Sequence, residues 1–182
     1  MRRTLSLFLI LALGVVDAGA SEGLYLEKSE FLNAVFDGHT PAPGAIVIDS
    51  KRRREIEAIL GHRFSLLRVR YWSLDGTRAW IFDEVGKTEP ITIGVSTHDD
   101  EVASVRILEF RETRGWEVRY PFFTDQFSGA KIAEDNLIDR PIDGITGATL
   151  SVAAVSKVVR LALLLDGQIH GAAAILTTVA KD

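Results

Sequence analysis

The sequence predicts an α+β domain: an antiparallel sheet, a meander or half-barrel, flanked by helices. Three observations predict it. Apolar and polar residues alternate through the middle of the chain, at Leu67, Val69 and Tyr71 and again at Ile91, Ile93 and Val95. Short turn signals, Asp75-Gly76 and Asp99-Asp100, separate these runs at hairpin spacing. Helical spacing of apolar residues occupies both ends. A length of 182 residues argues for a single domain.

Residues 27–36 read as a short helix capped by Ser29, closed by the Pro/Gly turn at 41–44. Ala45–Ile48 is a brief apolar run. Lys51–Leu60 reads as a second helix, with Ile56, Ile59 and Leu60 on one face and Gly61 as its stop. Strands follow at 67–72, 79–82, 91–96 and 102–110. Phe122–Phe127 reads as a short helix, and Asn136–Ile145 as irregular chain. Val152, Val155, Val159 and Ala162 recur at helical spacing, with Ser156, Lys157 and Arg160 as the polar strip. Asp166-Gly167 is expected to end that helix, and Gly171–Val179 to form another.

The first twenty residues read as an address. Arg2 and Arg3 precede an apolar stretch from Leu5 to Val16, and Ala18-Gly19-Ala20 supplies an Ala-x-Ala cleavage signal before Ser21. The stretch is shorter than the roughly 18 apolar residues that span a bilayer. Cleavage after Ala20 is expected, by general secretion rather than the twin-arginine route, leaving an exported protein. An uncleaved anchor is the alternative. The organisation is therefore a signal peptide (1–20), an N-terminal part (21–87) and a core (88–182).

Composition excludes several chemistries. With no cysteine there is no disulfide, thiolate metal site, thiol nucleophile or cysteine-ligated iron–sulfur cluster. A net charge of −4 argues against a nucleic-acid binder. Redox chemistry in such a chain has to be carried by a cofactor. His98-Asp99-Asp100 has no second ligand cluster at useful spacing, so no metal site is expected. No Ser-His-Asp arrangement stands out, and no residue of this chain is expected to be catalytic. Lys51-Arg52-Arg53-Arg54 reads as a solvated helix face or as a docking patch for an acidic partner or anionic lipid.

Chemistry concentrates in Asp143-Gly144-Ile145-Thr146-Gly147-Ala148-Thr149-Leu150-Ser151, a small-residue loop opening onto a helix. Gly144 and Gly147 permit unusual backbone angles and close approach, and Ala148 adds little bulk. The hydroxyls of Thr146, Thr149 and Ser151 sit near the free N–H groups and positive dipole end of the helix, a ready phosphate site. The bland alternative is a helix cap made by Thr149 or Ser151.

The run Asp143–Thr149 resembles the flavinylation motif of the FMN-binding domain family, which includes the C subunit of sodium-pumping NADH:quinone oxidoreductase and the G subunit of Rnf complexes. Glu112-Thr113-Arg114-Gly115-Trp116-Glu117 resembles that family's segment beside the flavin ring, although Arg114, Trp116 and Glu117 replace its Pro, Leu and Gly. Phe123–Lys131 resembles its Phe…Gln-Phe-x-Gly segment. The likeness covers about residues 88–166. It implies FMN joined by a phosphodiester to Thr149, installed from FAD by a separate flavin transferase, with Asp143, Gly144, Thr146, Gly147 and Ala148 recognised by that enzyme. It implies ring contacts from Glu112, Thr113, Gly115, Trp116 and Gln126. Trp116 either stacks on the ring or packs at the rim, and Gln126 either faces the ring or caps a turn. The expected role is electron relay to a membrane or extracytoplasmic partner, such as a quinone-linked complex or a cytochrome. Two alternatives are a reductase acting directly on a small exported substrate, with Glu112 or Glu117 as proton donor, and a binding module that has lost its flavin.

Overall fold

The computed structural model describes residues 23–133 and 135–179, so the leader and its cleavage point lie outside the described residues. Five antiparallel strands run in chain order: β1 (Gly44–Val47), β2 (Arg68–Leu74), β3 (Thr77–Val85), β4 (Pro90–His98) and β5 (Glu101–Phe110). The sheet is an open meander and does not close into a barrel. Asp75 and Gly76 both take positive φ, 47° and 79°, as the twist of a two-residue hairpin requires. Asp99 and Asp100 do the same between β4 and β5, at 51° and 63°. β3 of the N-terminal part pairs along its whole length with β4 of the core, so the two parts share one sheet.

Helices cover both faces. Helix α1 (Lys28–Val35) lies on one, where Phe31, Leu32 and Phe36 pack with Ala79 and Leu108. Its cap is Glu27, with the Glu30 carboxylate accepting the Glu27 N–H at 3.2 Å, so Ser29 is two residues too late to serve. Helix α2 (Ser50–Leu60) and helix α4 (Thr149–Val179) cover the other face over Trp80, Ile91, Ile93 and Val95. Asp49 caps α2 by accepting the Arg52 N–H at 2.8 Å, and Gly61 ends it at φ 76°. Double coverage buries all of Ile91–Thr97, including Thr92, Gly94 and Ser96, which alternate as a strand's polar half. Gly94 is what admits α1, because a Cβ there would stand 2.8 Å from the Phe31 ring.

The C-terminal expectation needs correction. Asp166-Gly167 does not end a helix; α4 runs unbroken for 31 residues. Asp166 faces inward and is buried, accepting from Thr97 Oγ1 at 2.8 Å and Arg78 Nη1 at 3.0 Å. An aspartate that satisfies strand donors has no call to leave the helix and cap it, and apolar packing on either side carries the helix past Gly167. Between β5 and α4 the chain makes a 3₁₀ turn (Trp116–Arg119), helix α3 (Pro121–Thr124) and a second 3₁₀ turn (Asp125–Phe127), dividing the helix expected at 122–127. Residues 136–148 have no regular structure apart from an Ile132–Ile138 bridge, a buttress for the loop ahead of α4. Among the described residues no helix is long and apolar enough to cross a membrane.

Candidate functional site

The loop ahead of α4 is shaped by one turn. The Ala148 N–H donates to Ile145 O at 3.0 Å, and Gly147, third in that turn, takes φ 83°. Thr149 is the first helical residue, so Ala148 holds the capping position. Alanine has no side-chain acceptor, which disposes of Thr149 as an ordinary cap. The Thr149 side chain is exposed, as are Asp143, Gly144, Thr146 and Gly147. A Cβ built on Gly144 or Gly147 would meet nothing within 4 Å. Space for another molecule therefore lies over the loop, beside the free N–H groups of a long helix.

Two distant segments hold this loop in place. Gln126 clasps Asp143: its Oε1 accepts the Asp143 N–H at 2.7 Å, and its Nε2 donates to Phe122 O at 3.3 Å and Asp143 O at 3.5 Å. Gly115 meets the start of α4. It takes φ 89°, and a Cβ there would stand 2.3 Å from Ser151 Oγ and 3.6 Å from the Ala148 Cβ. Ser151 is buried by this contact, and Ala148 with it. The structure thus brings Gly115 and Gln126 to the Asp143–Ser151 loop, in positioning roles.

The rest of the 112–117 segment divides. Glu112 turns toward the β3–β4 connection, where its Oε1 accepts the N–H groups of Lys87, Thr88 (3.1 Å) and Glu89 (3.4 Å). Gly86 leaves room for that carboxylate, at 2.7 Å from the position a Cβ would take. Thr113 is exposed on the rim of an open groove of about 340 Å³ that Glu112 and Lys87 also line. Trp116 is half-exposed, set edge-on to Tyr120 with ring centres 5.7 Å apart. Arg119 holds its guanidinium over the Trp116 ring, a partnership that sequence spacing did not single out although one 3₁₀ turn separates the two residues.

Other polar groups serve the frame. Glu84 is buried between His62 Nε2 (2.9 Å) and Lys157 Nζ (3.3 Å), and the hydrogen bond that the His62 ring donates to the Glu84 carboxylate raises the His62 pKa. Arg52 joins α2 to α4 through Gln168 Oε1 at 2.8 Å, and Arg53 holds the carbonyls of Phe64 and Leu66, so half of the Lys51–Arg54 run is structural. His98, at the end of β4, bonds Thr77 Oγ1 at the start of β3 at 3.0 Å. Among the described residues no three His, Asp or Glu side chains are grouped to hold a metal.

Residues 86–164 match the family model of the FMN-binding domain. No curated protein matches the chain. The matched span begins at the β3–β4 connection, contains Glu112, Gly115 and Gln126, and closes inside α4 beyond Thr149. The chain carries an FMN-binding domain and is an FMN-binding flavoprotein.

Proposed function

We propose, from the FMN-binding domain at residues 86–164, that Thr149 carries FMN through a phosphodiester and that the protein relays electrons outside the cytoplasm. The observation that supports this most is an exposed threonine on the first turn of a 31-residue helix, at the end of a loop with open space over both glycines. Those residues fit a phosphate and what it carries. Helix N–H groups and the helix dipole favour the anion, and Gly144 and Gly147 leave room for it.

In maturation, Thr149 Oγ attacks the FMN-side phosphorus of FAD. A new O–P bond forms, the pyrophosphate P–O bond breaks, AMP departs, and the hydroxyl proton passes to the transferase. A threonine hydroxyl is a weak nucleophile, so its activation falls to that enzyme. Asp143, Gly144, Thr146 and Gly147 form the exposed surface it recognises, while Ala148, buried against Gly115, sets the start of the helix beneath it. Gln126 fixes the Asp143 backbone and Gly115 sets the start of α4, so Thr149 is presented in one geometry. Bound FMN supplies one- and two-electron redox chemistry that no side chain here provides. The Glu112 Oε1 is already engaged by three backbone N–H groups, which removes one of the two proton donors, Glu112 and Glu117, that direct reduction of a substrate would call on. Export rests on the N-terminal sequence, and the acceptor is a membrane-bound or extracytoplasmic redox partner.

The test is co-expression with an FAD-dependent flavin transferase, followed by denaturation, in-gel fluorescence and intact mass. The expected result is a fluorescent band with a mass gain of FMN minus water, lost in Thr149→Ala. An unmodified chain, or a Thr149→Ala variant that still fluoresces, overturns the reading.

A further inference from the structure

We propose that the outer edge of β1, with the arginines of β2 beside it, takes an extended acidic segment of a protein partner as a sixth strand of the sheet. This goes beyond the flavin reading and does not depend on it. β1 ends the sheet on its side and pairs only with β2. The Ile48 N–H donates to Leu67 O at 2.9 Å, which fixes the phase of the ladder. Alternation in an antiparallel pair then turns the N–H and C=O groups of Ile46 toward β2, and those of Ala45 and Val47 away from it. Arg52 Nη1 takes the Val47 carbonyl at 3.2 Å. The Ala45 N–H, the Ala45 carbonyl and the Val47 N–H have no partner among the described residues, and both residues are exposed. The opposite edge of the sheet is closed: in β5, Val102 bonds Gly129 and Ala130, and Leu108 and Phe110 bond Tyr25 and Gly23. Gly44–Val47 also carries no charge, proline or bulge of the kind that keeps a further strand off an edge.

The open backbone groups select a polypeptide. A donor, an acceptor and a second donor in a row match the main chain of an extended segment, and a lipid headgroup or a free phosphate has no such alternation. The side chains beside the edge select its charge. Arg70 stands opposite Ala45 and Arg68 opposite Val47, and directly opposed residues project from the same face of a sheet. Both arginines are exposed, and neither forms an ion pair among the described residues. Lys28, also unpaired, lines a groove of about 300 Å³ with these two arginines, Trp72 and Ile81. Three free cations at one groove stand out on a chain of net charge −4. A strand added to β1 would set two residues, two positions apart, opposite Ala45 and Val47 on this face. They would lie two strand spacings, about 10 Å, from Arg70 and Arg68, a span that arginine and glutamate side chains cross when they reach toward each other. The segment that fits is therefore extended and acidic at alternate positions.

The test uses the full chain without flavin and a fluorescent peptide of alternating glutamate and threonine, with a lysine–threonine peptide as control. The expected result is a saturable rise in anisotropy with the acidic peptide alone, and slowed hydrogen exchange at the Ala45 and Val47 amides when it is bound. Arg68→Gln and Arg70→Gln should each weaken binding about two- to fivefold, as exposed ion pairs do, and added salt should weaken it further. Ala45→Pro removes an N–H that points away from β2, so it spares the sheet's own hydrogen bonds and should abolish binding. Thermal unfolding of each variant checks that it is folded. A folded Ala45→Pro chain that binds the peptide as tightly as the parent would show attraction between charges alone and overturn the proposal. Unchanged exchange at Ala45 and Val47 in the peptide-saturated parent chain would overturn it too, with no variant needed. So would a parent chain that ignores the peptide and binds phosphatidylglycerol vesicles, which would assign the face to a membrane. Because no flavin is present, failure here leaves the Thr149 test untouched, and the reverse also holds.

Discussion

Replacing Gly115 by alanine tests the contact on which the site's geometry rests. Two costs combine. The residue sits at φ 89°, ψ 8°, where an L side chain costs roughly 1–2 kcal/mol. The new Cβ also falls 2.3 Å from Ser151 Oγ, and forcing extra volume into packed surroundings costs roughly 1–3 kcal/mol. Gly115→Ala should therefore destabilise the domain by about 2–5 kcal/mol. Against a total stability of roughly 5–15 kcal/mol, the variant stays folded at room temperature. Urea unfolding should show a lower midpoint at an unchanged slope. Ser151→Ala removes the atom that clashes, so the double variant should recover about 1–2 kcal/mol relative to the sum of the singles. The backbone cost remains in both. If Gly115→Ala costs less than about 1 kcal/mol, or if the two changes are additive within about 0.5 kcal/mol, the 115–151 contact does not form and does not seat the start of α4.

Four further outcomes are expected. Burial raises the Asp166 pKa above 3.8, so the folded chain holds that proton longer than the unfolded chain. The resulting stabilisation is full below pH 3.8 and is lost as pH rises through the folded value; Asp166→Asn should flatten that part of a stability–pH curve. Asp166→Ala leaves Arg78 and Thr97 without their acceptor and should cost about 3 kcal/mol by denaturant titration. His62 is raised above 6.5 by its hydrogen bond to Glu84, so its contribution is full below pH 6.5 and fades as pH rises through the folded value. Proton NMR should place that titration above 6.5, and Glu84→Gln should lower it. Gln126→Ala frees the Asp143 N–H; a loss of about 1 kcal/mol is expected, with slower labelling of Thr149 by the transferase.

Most of the sheet was legible because alternation and turn residues are local signals. Asp75-Gly76 and Asp99-Asp100 stand at the two hairpins, with the positive φ values that Asp and Gly tolerate best. What the sequence did not show is decided by distant partners. Asp166-Gly167 reads as a stop until Arg78 and Thr97, some seventy to ninety residues earlier, are seen to take the carboxylate. Ser29 has the chemistry of a cap, yet chain geometry starts the helix after Glu27. At the site, residue types were readable and roles were not. Gly115 and Gln126 belong to the loop through contacts 36 and 17 residues apart. Ser151 reads as a phosphate-side hydroxyl and is instead buried beneath Gly115. Arg119 left no trace, because a guanidinium packed on the rings of Tyr25, Trp116 and Tyr120 has no periodicity.

The order of the strands carries a kinetic consequence. Every strand pairs with its neighbour in sequence, and two of the four connections are two-residue turns, so the sheet can grow from local hairpins with little loop closure. Helix α4 follows the whole sheet in the chain, and its first turn is seated only when Ser151 reaches Gly115. Thr149 therefore acquires its presented geometry late in folding. A transferase that reads this geometry would pass over unfinished chains, and the flavin content of a preparation would measure how much of it had folded.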